Sequence, residues 1–312
     1  MLMRIVAIVF PIFAIVLLGY LYGRRHRPDM IAANQVNMDV FVPALIFAAL
    51  AGRPIVLAEY GMLALGAAVV VLGSGLLGWP LARLCGYAPK TLLPPLMFKN
   101  AGNMGLPLLV LAFGEAALPA AAVLMLVENM LHFSFGAWLL DHKARVATLW
   151  RIPVFAAGLA AIGVSLAGIE LWPPLTTAIR MLADISIGLM LFSLGVRLTA
   201  APFGAWRIGL MLFSLGVRLT AAPFGAWRIG LIGTVATPLT GIAVAWGFAA
   251  LFGLPPQERN ILLLFGALPP AVLNYVFAER YGQEPEKVAS IVMMGNLGAV
   301  LFVPVALALV LE

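Results

Sequence analysis

Lys99, Asn100, Gly102, Asn103, Gly105 and Pro107 follow one another inside an apolar segment that runs from about Thr91 to Gly114. A lysine carries a full charge and three donors, a carboxamide both donates and accepts, and a proline inside a helix removes a backbone donor. A solvated loop holds such groups at little cost. At bilayer depth, each backbone N–H or C=O freed by Pro107 or by the flexible glycines lacks water, and such a break is tolerated where the chain lines a protein-enclosed cavity. Phe98 to Leu108 is therefore read as the centre of a discontinuous transmembrane helix that forms a substrate site. A second stretch, Gly266 to Asn274, again puts two prolines, Pro269 and Pro270, and an asparagine, Asn274, mid-membrane.

The chemistry such a pair of breaks offers is anion binding. Half-helix N-termini present unpaired N–H groups and the positive end of the helix dipole, which favour a carboxylate. Lys99 adds a positive charge beside Asn100 and Asn103, whose amides can donate to the same oxygens. The candidate substrate-binding set is thus Lys99, Asn100, Asn103, Gly105, Pro107, Pro269, Pro270 and Asn274, with a small organic anion as cargo. The competing readings are that Lys99 snorkels or pairs with Asp39 or Asp184, that the asparagines only satisfy the broken helices, and that the prolines are simple kinks. Asp39, Asp184, Glu128 and His132 are candidates for a coupling ion or proton. Glu128 and His132 stand four apart and share a helix face, so they either relay a proton or form a structural hydrogen bond. Arg180 reads as an anchor near a helix end, and Asn296, between Gly295 and Gly298, as a mark of close helix packing.

Other classes fit poorly. No His/Asp/Glu cluster has metal-ligand spacing, and no Gly-rich loop ends in Gly-Lys-Ser/Thr, so neither metal-dependent catalysis nor ATP hydrolysis is indicated and no cofactor is expected. A single cysteine, Cys85, excludes an internal disulfide. The formal charge of +6 comes from residues at helix ends, where orientation signals belong, and does not point to nucleic acid. A broken-helix ion channel, or a sodium- or proton-coupled carrier of another solute, is the rival reading.

The elements that must position these residues follow from composition. With 63% hydrophobic and 10% charged residues, 312 residues cannot cover a water-soluble surface, so the chain is integral to a bilayer. At about 20 apolar residues per span, ten helices are expected, near residues 5–23, 32–50, 57–79, 91–114, 118–140, 152–169, 175–196, 229–252, 261–280 and 288–311. The first is followed by its arginines and shows no small-residue cleavage site, so it is expected to be retained. Lys and Arg concentrate in the connections after the odd-numbered spans, from Arg24, Arg25 and Arg27 to Arg280 and Lys287, whereas the opposite side holds Arg4, Arg53 and Arg259. Both termini are therefore expected outside the cytoplasm.

The hydrophilic linker around Asp141–Arg151 divides the chain into a first five-helix repeat, 1–150, and a second, 151–312. Met190–Leu210 recurs without a change as Met211–Leu231, which reads as a recent tandem duplication or an assembly error. Ten residues lie between Arg207 and Arg218, half a span, so the extra copy is expected to insert on the cytoplasmic side or as a short re-entrant piece. Met38-Asp39-Val-Phe-Val-Pro43-Ala-Leu-Ile-Phe47 lines up with Ala183-Asp184-Ile-Ser-Ile-Gly188-Leu-Met-Leu-Phe192, which suggests related halves. Interrupted helices at corresponding places in two halves point to an inverted-repeat carrier.

The stretches Asn37-Met-Asp-Val-Phe-Val-Pro43-Ala-Leu-Ile-Phe47, Asn100-Ala-Gly-Asn-Met-Gly-Leu-Pro107, Leu268-Pro-Pro-Ala-Val-Leu-Asn274 and Ala278-Glu-Arg-Tyr-Gly282 together resemble the auxin efflux carrier family of bile/arsenite/riboflavin-type transporters. Bacterial members of that family are often described as malonate or other organic-acid permeases. The resemblance implies an all-α membrane protein of ten transmembrane helices in two inverted five-helix repeats, with broken helices 4 and 9 crossing beside the substrate. It further implies a scaffold of helices 1, 2, 6 and 7 against which helices 3–5 and 8–10 move like an elevator. The expected partners are a small organic anion and the lipid bilayer, with a possible homodimer, in the cell (inner) membrane.

Overall fold

The computed structural model describes residues 2–51, 57–142, 153–197 and 226–311. Among these the regular structure is helical, with no strand. α1 (Leu2–His26) runs through Pro11 and ends in Arg24, Arg25 and His26. α2 (Ile31–Val36), a π-helical stretch (Asn37–Phe41) and α3 (Val42–Ala51) form one continuous rod, the π turn falling just before Pro43, which has no N–H to give to the ladder. α4 spans Leu57–Leu84. α5 (Pro89–Met97) is followed by a break, a π-helical stretch (Ala101–Gly105) and α6 (Leu106–Phe113), which stops at Gly114 with φ +81°. α7 (Leu118–Leu131) continues through a π-helical stretch (His132–Gly136) into α8 (Ala137–Leu140). Then come α9 (Pro153–Leu166), α10 (Pro173–Arg197), α11 (Trp227–Phe252), α12 (Pro256–Gly266), α13 (Leu273–Arg280) and α14 (Pro285–Val310).

Among the described residues, seven segments are long and apolar enough to cross a membrane: Ile5–His26, Ile31–Ala51, Tyr60–Leu84, Glu115–Leu140, Pro173–Ser193, Trp227–Phe252 and Pro285–Val310. They fall where spans 1, 2, 3, 5, 7, 8 and 10 are expected. The fourth and ninth expected spans are the two read from the sequence as broken helices. They are each two short helices flanking a break, and α9 has 14 residues. The boundary at 150/151, and most of the duplicated stretch with Arg207 and Arg218, lie outside the described residues. Met190–Arg197 of the first copy complete α10, and Trp227–Leu231 of the second open α11.

By their packing the long helices sort into two groups. α1 lies on α10, α10 on α3 and α3 on α9; separately, α4 packs on α5, α7 and α11, and α11 on α12 and α14. Lipid tails are as apolar as these side chains, so close van der Waals fit rather than water exclusion holds each group together. Glycines permit the closest approaches. A Cβ on Gly195 of α10 would stand 2.0 Å from the Val16 carbonyl oxygen of α1, and one on Gly241 of α11 would stand 2.0 Å from the Gly266 carbonyl oxygen of α12. Contacts between the groups are fewer, and the two meet where α10 faces the Ala101–Gly105 stretch, α1 faces α6, and α3 faces α7.

Candidate functional site

The two breaks satisfy one another. Phe98 leaves α5 in extended conformation, which a helix cannot continue, and Lys99 pairs antiparallel with Pro270. Asn100 N–H donates to the Pro269 carbonyl at 2.8 Å, and Ala271 N–H donates to the Phe98 carbonyl at 2.9 Å. Asn274 Nδ2 donates to the same Phe98 oxygen at 3.0 Å and to the Ala271 oxygen at 2.9 Å. Asn296 of α14 ties this crossing to its neighbour: its Nδ2 donates to the Pro270 oxygen at 3.0 Å, and its Oδ1 accepts from Asn100 Nδ2 at 3.2 Å. Backbone groups that proline and the extended turn release from one helix thus find partners on the other, as a water-poor environment requires.

Beside this crossing is a cavity of about 140 Å³, lined by Ile12, Asn34, Asn37, Met38, Met190, Leu191 and Ser193 from the first helix group and by Asn100, Asn103, Met104 and Pro107 from the second. A dry cavity of about 150 Å³ takes in benzene, so this one suits a small solute. Its polar lining is four carboxamides and one hydroxyl, with no charged side chain. Ser193 Oγ donates to Asn34 Oδ1 at 2.6 Å. The Asn100 carbonyl takes the N–H groups of Met104 and Gly105, leaving those of Gly102 and Asn103, at the head of the segment, without a protein acceptor among the described residues.

Of the substrate-binding residues expected from sequence, Asn100, Asn103 and Pro107 line the cavity. Lys99, Gly105, Pro269, Pro270 and Asn274 are fully or almost fully buried and are not part of its lining. Lys99 turns the other way. Its Nζ donates to the Thr237 carbonyl of α11 at 2.6 Å, and the space for it exists because residue 241 is glycine, whose Cβ would stand 2.9 Å from that nitrogen. Lys99 therefore clamps the first break to α11 and neither snorkels nor pairs with an aspartate: Asp39 and Asp184 are exposed on the first group, whereas Lys99 has no exposed surface. Gly105 admits Leu268, whose Cδ1 would lie 2.6 Å from an added Cβ. Asn34, Asn37 and Ser193 complete the cavity although sequence reasoning did not select them as contacts; the signal available was the asparagine pair at i and i+3, which puts both on one helix face.

Glu128 and His132 lie behind the crossing, 2% and 1% exposed. His132 Nδ1 stands 3.4 Å from Glu128 Oε1, yet neither atom is aligned for a hydrogen bond, and Nε2 has no partner. The imidazole stacks on Phe98, ring centroids 4.1 Å apart, with Phe277 edge-on at 5.0 Å. His132 thus touches the break through Phe98. Arg180 sits elsewhere, with Glu170, on a wider depression of about 440 Å³ between α3, α9 and α10. No group of three or more His, Cys, Asp and Glu converges among the described residues.

Comparison with curated proteins gives no match. Residues 146–307 match the family described as Membrane transport protein. The match takes in α9 to most of α14 and with them Met190, Leu191 and Ser193 of the cavity, whereas Asn100 and Asn103 precede it. With just over half of its residues in that match and, among the described residues, seven apolar helices of spanning length, the chain belongs to the membrane transport protein family and is a multi-pass membrane transporter.

Proposed function

We propose that the protein is a secondary transporter that carries a small organic anion across the cell membrane by an elevator-type movement of one helix group against the other. The observation that carries this reading is the position of the cavity on the seam between the groups, with Asn34, Asn37 and Ser193 contributed by one side and Asn100 and Asn103 by the other. A solute held there touches both groups, so sliding one past the other changes its contacts and its exposure. Discontinuous helices at the substrate site support the same reading. The Gly102 and Asn103 N–H groups and the Asn103 amide supply donors for a carboxylate.

The finer parts of the proposal are a bacterial organic-acid permease of the malonate type, ten spans in two inverted five-helix repeats, 1–150 and 151–312, and both termini outside the cytoplasm. A homodimer is part of it too. Glu128 and His132 are favoured over Asp39 and Asp184 as coupling candidates, because His132 stacks on Phe98 of the break and Glu128 stands beside His132.

Counterflow tests the reading. Proteoliposomes preloaded with malonate are expected to take up labelled malonate with saturable kinetics. Asn103→Ala is expected to slow this at least about tenfold, as loss of a ligand hydrogen bond does, with an unchanged melting temperature because Asn103 is exposed to the cavity. Flux that rises linearly with concentration and ignores the substitution would indicate a pore.

A further inference from the structure

We propose that the depression between α3, α9 and α10 holds the headgroup of a zwitterionic phospholipid, its phosphate on Arg180 and its primary ammonium on Glu170; the transported solute has no part in this. α9 and α10 each pack on α3 and hardly touch one another, and the depression of about 440 Å³ is the space left between them. α3 and α9 end beside it and α10 begins there, so it opens at one face of the membrane. Trp172, 71% exposed, directly precedes α10, as an aromatic side chain does at a membrane–water interface.

Arg180 belongs to the apolar spanning segment Pro173–Ser193, seven residues past its start and so about 10 Å along the axis. It is exposed, and among the described residues it has neither an ion pair nor a hydrogen bond. Glu170, exposed on the connection between α9 and α10, has none either, although both charges line the one depression. A charged side chain at this depth calls for a counter-charge or water. Cα–Cβ bonds of a helix tilt toward its N-terminus, so Arg180 reaches back toward the headgroups, where phosphate accepts a bidentate guanidinium. Glu170, placed before α10 begins, stands nearer to water than Arg180. A phospholipid presents its parts in the same order from the bilayer outward: acyl chains, phosphate, then amine. Phe47, Val164, Ile169 and Ile179 give the acyl chains an apolar wall. An acidic lipid without an amine leaves Glu170 facing a like charge, and a choline has no N–H to donate to its carboxylate.

The test mixes the purified protein in detergent with phosphatidylethanolamine, phosphatidylcholine or phosphatidylglycerol of the same acyl chains. Native mass spectrometry counts the retained lipid, and the melting temperature is followed in parallel. Phosphatidylethanolamine is expected to bind at least about tenfold more tightly than either of the others, the worth of one charge-assisted hydrogen bond. Arg180→Gln is expected to weaken it at least about tenfold, and Glu170→Gln to bring the ethanolamine and choline lipids level. Equal retention of the three lipids by the wild type overturns the proposal, as does a preference that Arg180→Gln leaves unchanged; either result indicates an arginine that only snorkels to the interface. Glycerophosphoethanolamine, the same headgroup without acyl chains, is expected to leave the melting temperature where it was. A shift as large as the lipid's would assign the depression to a free solute and overturn the lipid. Both side chains are exposed, and the wild-type comparison stands on its own if a variant fails to fold. Malonate counterflow is not among the readouts, so failure here leaves the transporter reading standing.

Discussion

Glu284 shows what a single residue contributes away from the cavity. It holds φ +40°, a left-handed conformation uncommon for a side chain other than glycine, at the entry to α14. Its carboxylate accepts from the Lys287 ammonium and, at 2.5 Å, from the Thr91 hydroxyl of α5, while Gln283 Nε2 donates to Thr91 Oγ1 at 3.2 Å. Lys287 first, and Thr91 after it, hold the Glu284 carboxyl below the usual carboxylate range. A depressed folded value means that the contribution is present above the unfolded value and is lost as pH falls through the lower folded one. The melting temperature of the wild type is therefore expected to fall more between about pH 5 and about pH 3 than that of Glu284→Gln, the two converging at the acid end. The difference should stay within about 1 kcal/mol, as for other exposed pairs. Parallel curves for the two proteins would remove this role. Lys99 makes the opposite point. Its charge suggested a contact with the solute, but a fully buried ammonium bonded to the Thr237 carbonyl serves the crossing of helices.

At the scale of elements, the crossing of α11 over α12 is set by a pair of glycines. Gly241→Ala places a Cβ 2.0 Å from a backbone oxygen that has no rotamer with which to yield. Overpacking of this kind costs about 1–3 kcal/mol, and here it also crowds the Lys99 ammonium. Gly247→Ala in the same helix meets nothing within 4 Å and exchanges glycine for a better helix former, so it should be neutral or gain up to about 1 kcal/mol. Thermal unfolding of the two variants in detergent compares them directly, and equal stability would contradict the crossing. The regions of the breaks were legible in the sequence because polar residues, glycines and prolines interrupt apolar segments there; Pro269 and Pro270 stand at the second break, whereas the first falls at Phe98–Asn100 and Pro107 lies within the continuous segment after it. The mutual pairing of the breaks was less so. Nothing in Phe98 or Ala271 announces that the carbonyl of one will take the N–H of the other. Asn296, read from its glycine neighbours as a packing residue, also bonds to both breaks because α14 runs past the crossing.

For the whole molecule the decisive feature is the division into two helix groups with a cavity between them. If transport requires the groups to slide, then a covalent bridge across the seam stops it. After replacement of the exposed Cys85, Met104→Cys and Met190→Cys place one thiol on each wall of the cavity. A short bifunctional thiol reagent is expected to reduce malonate counterflow in the double variant to background. The single variants should keep most of their flux after the same treatment. Unchanged counterflow in a protein shown to be bridged would exclude relative motion as the transport step.

Hydropathy by itself determined that this chain lives in a bilayer, because a surface with so few charged residues cannot face water. Polar residues, glycines and prolines clustered inside apolar segments marked the two regions in which helices give way. Which polar groups then look into a cavity was decided only by tertiary structure. Neighbours in sequence, Lys99 and Asn100, are sent to opposite sides of one crossing, the first to α11 and the second to the cavity. Asn37, more than sixty residues away, arrives opposite Asn103 because two separately packed groups of helices meet there. The type of a side chain is written locally, whereas its direction is set by whichever distant helix it packs against.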